Sequence, residues 1–269
     1  VNRIDATFRA LAKDGRKAFM PFVAAGDPSL DGTALILRTL QDRGVADLVE
    51  LGVPYSDPIA DGPVIQASYQ RALAAGVTPK GILNMVAKLR SGGLRLPVCL
   101  MIAYALVYRP GIAEFVCEAA EAGIDGLIVP DLPADEAGPL GRELAKYDMA
   151  HILLIAPTTS AARREVIVSH ATGFIYCISV AGITGERTEL PKQLAEYVRG
   201  IKQVAKVPVC VGFGVSRPEH VAAVSQVADG AIVGSAIVHR MADHAADPPE
   251  KMAQSVADLC AELMAPLRK

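Results

Sequence analysis

Residues 18–52 read AFMPFVAAGDPSLDGTALILRTLQDRGVADLVELG. The opening AFMPFVAAG is an apolar run of strand length. Ser29 then suits a helix cap, and Leu30, Ala34, Leu37 and Leu40 recur on one helical face. Gly44 stands just past that helix, where a terminating glycine belongs. A second apolar run, ADLVELG, begins at Ala46. Strand, helix, strand, with apolar residues on both faces of each strand, is the signature of a parallel sheet wrapped by helices.

The same unit recurs to the end of the chain. Further runs are LPVCLMIA from Leu96, DGLIVPD from Asp125, HILLIAP from His151, GFIYCIS from Gly173, VPVCVGFG from Val207 and DGAIVGSA from Asp229, which makes eight strand candidates. Most are followed within a few residues by a helical pattern. The last helix starts at DPPE from Asp247 and turns Met252, Val256, Leu259 and Leu263 inward. No linker or break in composition divides residues 1–269, so the expectation is a single α/β domain, a (β/α)8 TIM barrel. An open doubly wound sheet is the alternative. The lack of G-x-G-x-x-G after the first strand argues against it. Ile4, Phe8 and Leu11 predict an additional N-terminal helix.

Composition fits this frame. The 269 residues carry a net charge of -2, 51% are hydrophobic, only 5% are aromatic, and Trp is absent. The core therefore rests on aliphatic residues. With mixed charges and a pI near 6.2 there is no basic footprint for nucleic acid or an anionic membrane. The longest uncharged stretch, Leu96 to Tyr108, is too short to span a bilayer. The N-terminus has Asp5 and Asp14 and no long apolar centre, so it does not read as a signal peptide. Cys99, Cys117, Cys177, Cys210 and Cys260 are odd in number and widely spaced. They read as thiols of a reducing, cytoplasmic compartment. Neither they nor the histidines show metal-ligand spacing, so no metal is expected.

In a barrel, chemistry sits at the C-terminal ends of the strands. Glu50 stands there, inside ADLVELG, on the same face as Leu48 and Gly52. A carboxylate in an apolar strand is costly unless it is paired or faces a cavity. Burial would raise its pKa, which suits proton transfer. Position alone leaves open a glutamate simply reaching solvent. Asp61 follows in the loop VPYSDPIADGPVIQ. Taken alone it marks a helix start before Pro63, and Asp57 reads as a turn residue. Beside Glu50, Asp61 could share acid–base and charge-stabilising work. Gly212, Gly214, Gly234 and Ser235 follow the last two strands, where barrels bind phosphate through backbone amides, and Gly185 could join them. The polar stretch Gly182–Pro191 is a lid candidate or an ordinary loop. Phe22, Tyr176 and Phe213 could wall a flat apolar group, with core packing the default for each.

Together these residues resemble one family, the α subunit of tryptophan synthase. The resemblance rests on PFVAAGDP, ELGVPYSDPIADGPVIQAS, IVPDLP, GITG, GFGV and VGSAIV, in the family's order and over almost the whole chain. The run from Glu50 to Ser68 is the specific one. The resemblance implies a (β/α)8 barrel that cleaves indole-3-glycerol phosphate to indole and glyceraldehyde 3-phosphate without metal or cofactor. It implies that Glu50 handles protons at indole C3 and the glycerol hydroxyl, and that Asp61 stabilises charge at the indole nitrogen. It places the active-site tyrosine on Tyr176, phosphate contacts on Gly185, Gly214, Gly234 and Ser235, the lid threonine on Thr184, and indole-pocket positions on Phe22 and Phe213. It further implies an α2β2 tetramer with a β subunit that carries pyridoxal phosphate and receives the indole. Pro54 and Asp57 would then lie at the partner contact.

The chain departs from the family's pattern in two places. Ala103 and Ala105 stand where many members carry a tyrosine and an asparagine, and Val180 and Ala181 where some carry a polar or basic residue. Competing readings are a sugar-phosphate isomerase, a stand-alone indole producer, and a catalytically weak subunit that activates its partner.

Overall fold

The computed structural model describes residues 2–58, 61–179, 192–212 and 214–268. Eight strands form a closed parallel barrel in chain order: β1 (Ala18–Ala24), β2 (Val49–Gly52), β3 (Val98–Met101), β4 (Gly126–Ile128), β5 (Ala150–Ile155), β6 (Ile175–Ile178), β7 (Val209–Gly212) and β8 (Gly230–Val233). Ala18 of β1 lies opposite Gly230 of β8, which closes the ring. Seven strands fall within the apolar runs, and β5 begins one residue ahead of its run, at Ala150.

The closed sheet has two apolar faces. Ala18, Met20, Phe22 and Ala24 alternate into the barrel interior with Leu48, Cys99 and Tyr176. Phe19 and Val23 point the other way, onto Ile36, Leu37 and Leu40 of the helix Leu30–Asp42. That helix begins and ends where the sequence places it. Ser29 Oγ accepts from Gly32 N at 3.1 Å, and Gly44 takes φ +59°. The additional helix, Arg3–Lys13, plugs the floor of the barrel with Ile4, Phe8 and Leu11. Its Phe8 ring packs 5.8 Å from that of Phe174, just ahead of β6.

The described residues contain more helices than one per strand. Two helices, Pro63–Ala74 and Pro79–Ser91, join β2 to β3, and two more, Tyr104–Tyr108 and Ile112–Glu121, join β3 to β4. After β8 come Ser235–Asp243 and Pro249–Met264. The last buries Met252, Val256 and Leu263 as expected and leaves Leu259 half-buried. It lies against the helix Leu30–Asp42, where Gly32 leaves room for the tip of Met252. The first and last helices of the ring thus close on each other.

Acidic residues tie the floor. Asp47 accepts from Phe19 N at 2.9 Å, Asp125 from Val98 N at 2.8 Å and Asp229 from Val209 N at 3.0 Å. Each carboxylate sits ahead of one strand and holds the first turns of the strand before it. Each is also matched by cations: Arg16 for Asp47, Arg3 and Arg90 for Asp125, Lys17 and Lys202 for Asp229. These satisfied acids are at the N-terminal end, opposite the end where Glu50 and Asp61 stand.

Candidate active site

Glu50 occupies the inward position of β2, in register with Phe22 of β1 and Cys99 of β3. It is 3% exposed, and its Oε1 has no hydrogen-bond partner. A buried carboxyl oxygen without a donor favours the neutral acid. Burial first, and the nearby charge of Asp61 second, push Glu50 up to about 8. At neutral pH it is a protonated acid facing a cavity. The pairing of register and alternation explains why: Leu48 and Gly52 share its face, and only Gly52 is small enough to leave the mouth open. A Cβ at Gly52 would run into the Phe22 ring and come within 2.6 Å of the Tyr69 hydroxyl.

Asp61 is half-buried at the entry to the helix Pro63–Ala74. Both readings of it hold locally, because it precedes a helix start and also lines the cavity. Burial raises its pKa above the ordinary carboxylate range. Its backbone carbonyl accepts from Gln66 Nε2 at 2.7 Å. This ties the Asp61 backbone to the first turn of the helix.

Phe22, Glu50, Asp61, Tyr176, Gly214, Gly234 and Ser235 line one cavity of about 340 Å³. That volume is in the range of small-molecule sites. Tyr176 is buried, and burial together with Glu50 and Asp61 keeps its phenol protonated. Gly212 gives the ring its space, since a Cβ there would strike the Tyr176 hydroxyl and ring. Opposite the acids, Gly234 caps the helix Ser235–Asp243 with no side chain bonded to its first amides. Gly214 takes φ +73°, a conformation that suits glycine. Free amides at a helix start form a natural seat for an anion. Sequence reading did not single out Ile65 and Met101, which also line this cavity. Their apolar side chains looked like ordinary core.

A small recess of about 40 Å³, lined in part by Tyr69, adjoins the cavity through Asp61 and Met101. Val53, Tyr55, Asp57, Pro58, Ala103 and Asp131 form its other walls. Ala103 therefore bears on the mouth of the site, whereas Ala105 is exposed on the short helix Tyr104–Tyr108. Asp57 is exposed, with its carboxylate accepting from Ser56 Oγ at 2.5 Å, and Pro54 is buried. Thr184, Gly185, Phe213, Val180 and Ala181 lie outside the described residues. Among the described residues no helix is long and apolar enough to cross a membrane, and no group of His, Cys, Asp and Glu is placed to hold a metal ion.

A (β/α)8 barrel with a protonated glutamic acid and an aspartate at its mouth, facing an uncapped helix start, has the layout of an acid–base enzyme for a phosphorylated substrate. A family model described as the tryptophan synthase alpha chain matches residues 8–267. The chain belongs to that family. It is 47% identical over 261 residues to the tryptophan synthase alpha chain of Prochlorococcus marinus, an alignment covering 97% of this chain and 93% of that one. The crystal structure of tryptophan synthase subunit alpha from Legionella pneumophila superposes with a TM-score of 0.91 at 36% identity, covering 100% of this chain and 99% of that one. A chain from the tryptophan synthase complex of Pyrococcus furiosus matches with a TM-score of 0.83 at 33% identity, covering 93% and 99%.

Proposed function

We propose that this chain catalyses retro-aldol cleavage of indole-3-glycerol phosphate to indole and glyceraldehyde 3-phosphate, and passes indole to a β subunit for tryptophan synthesis. The observation that carries the reading is Glu50, a buried acid with an unpartnered oxygen and a pKa near 8, sharing its cavity with Asp61.

The proton inventory closes on Glu50. Its carboxylic acid gives a proton to indole C3, and the ring becomes an indoleninium cation. Asp61, as carboxylate, stabilises that cation at the ring nitrogen. The Glu50 carboxylate then takes the proton of the adjacent glycerol hydroxyl. The C3–side-chain bond breaks, its electron pair returns to the ring as indole, and the side chain leaves as the aldehyde. Glu50 ends protonated, as it began. One acid serves in both directions because its pKa lies near the working pH. The phosphate seats on Gly214, Gly234 and Ser235, so binding far from the breaking bond orients it. Phe22 and Tyr176 hold the indole plane. Thr184, Gly185 and Phe213 carry the lid, phosphate and indole contacts that the family pattern gives them.

This reaction needs no cofactor in the chain itself. Pyridoxal phosphate belongs to the β partner, and Pro54 and Asp57 mark the proposed contact in an α2β2 assembly. We place the reaction in the cytoplasm.

The test is indole release from indole-3-glycerol phosphate by the purified chain, with and without a tryptophan synthase β chain. Release that rises with the partner supports the proposal. Full release without it points to a stand-alone lyase, and none in either case points to a binding subunit. Glu50→Gln and Asp61→Asn should each lower turnover by roughly 10²–10⁴-fold with the fold intact. Near-normal turnover in either variant removes that residue from the mechanism.

A further inference from the structure

Asp27 has no place in the cavity, yet it is fully buried in the loop that follows β1. Its Oδ1 accepts from Arg71 Nε at 2.9 Å. Its Oδ2 accepts from Arg71 Nη2 and from Ser68 Oγ, both at 2.5 Å. Ser68 and Arg71 belong to the helix Pro63–Ala74, whose buried face is Ile65, Ser68, Tyr69 and Ala72. The loop holding Asp27 is itself fixed. Gly26 N donates to Thr33 Oγ1 at 2.9 Å, and Gly26, at φ +81°, packs so close to Val77 that a Cβ would collide with it. Asp27 thus fastens the helix to a rigid part of the barrel.

Asp61 stands immediately before the cap of that helix, Gly62. The helix start has no side-chain cap, and Gln66 joins it to Asp61 through the 2.7 Å bond to the Asp61 carbonyl. Gln66 N also donates to Gly62 O at 3.0 Å. The Asp61 backbone is therefore tied to the first turn. Backbone atoms lie about 2.3 Å from a helix axis, so a rotation of about 25° shifts them by about 1 Å. A misplacement of that size can cost about a hundredfold in rate. Apolar contacts through Ile65, Tyr69 and Ala72 are non-directional. A forked guanidinium–carboxylate pair with a third donor adds a directional constraint on the rotation. The Arg71 side chain is 40% exposed, and an ion pair open to solvent on one side adds little net stability, so stability alone is a poor reason for this one.

We infer that Asp27 is a positioning residue for the cleavage reaction: through Ser68 and Arg71 it sets the rotation and height of the helix Pro63–Ala74, and so the place of Asp61 at the cavity. This rests on the role proposed above for Asp61.

The test is a cycle of wild type, Asp27→Asn, Asp61→Asn and the double variant, read as kcat and KM for indole-3-glycerol phosphate. Asp27→Asn should lower kcat roughly tenfold to a hundredfold with KM near wild type, because the phosphate seat is untouched. The double variant should be no slower than Asp61→Asn alone, since the two act through one group. A wild-type kcat in Asp27→Asn, or losses that multiply in the double variant, would overturn the inference and leave Asp27 a stability residue. Should Asp27→Asn fail to fold, Arg71→Gln and Ser68→Ala carry the same cycle. Hydrogen exchange supplies a readout independent of activity. Amides of residues 64–69 should exchange faster in Asp27→Asn while those of the helix Ile112–Glu121 do not change, and unchanged exchange at 64–69 refutes the clamp. An inactive wild type, or a fully active Asp61→Asn, would instead refute the proposed function, with the exchange result still judging the clamp.

Discussion

Replacing Glu50 by glutamine should stabilise the protein, by an amount that grows with pH. Glutamine matches the size of the protonated acid, so no cavity opens. The Glu50 carboxyl moves from an ordinary value of 4.5 to about 8 on burial. Between those values the folded chain keeps a proton that the unfolded chain has released. Stability tied to that proton is fully present below pH 4.5 and is lost as pH rises toward and through 8. Each pH unit is worth about 1.4 kcal/mol, so the wild-type deficit against Glu50→Gln is about 3 kcal/mol at pH 7 and on the order of 5 kcal/mol above pH 8. Urea unfolding of both chains, at about pH 5, 7 and 8.5, measures it directly. The two free energies should differ little at the lowest pH and separate steadily above it. A difference that stays constant over the range would show that Glu50 holds no extra proton when folded, and the acid role derived above would go with it.

The same proton predicts the pH profile of cleavage. kcat/KM should fall above about pH 8 as Glu50 ionises, and on the acid side as Asp61, raised by burial, takes up a proton. A rate that climbs unchanged to pH 9.5 or so would exclude Glu50 as the acid. Gly212→Ala should cost about 1–3 kcal/mol and weaken substrate binding, because the new methyl strikes the Tyr176 ring. Wild-type unfolding and KM in that variant would show that the ring has room to yield. Asp57→Ala should weaken association with the β chain and its activation of cleavage, while leaving cleavage by the isolated chain unchanged, and titration of activity with the partner measures both.

The barrel was legible because parallel strands buried on both faces leave unbroken apolar runs, and every strand overlies such a run, β5 starting one residue early at Ala150. The doubled helices were not. The four residues 75–78 separate two helices with a turn too short to resemble a change of element. Glu50 stood out for one reason: a carboxylate inside VELG has no business in a core unless it faces a cavity. Asp61 was readable only beside it, since a helix start accounts for an aspartate equally well. Asp27 was hidden by the same ambiguity. In GDP it looks like a turn residue, and Ser68 and Arg71 look like the solvated side of a helix. The signal was in the spacing, because Ile65, Ser68, Tyr69 and Ala72 share one face and put a hydroxyl in an otherwise apolar stripe.

Asp229 on the floor and Glu50 at the mouth answer to pH in opposite ways. On the floor, burial pushes Asp229 up, but the Lys202 ammonium, the Val209 amide and Lys17 more than offset it and hold the carboxyl below its usual range. Its contribution survives at neutral pH and disappears only as pH falls through that lowered value. At the mouth, Glu50 is already neutral in mild acid and gains nothing to lose there. Asp229 therefore supports the fold into mild acid, while Glu50 sets the alkaline limit of turnover. Selection, or an engineer, could alter the acid stability drawn from Asp229 without touching the alkaline limit set by Glu50.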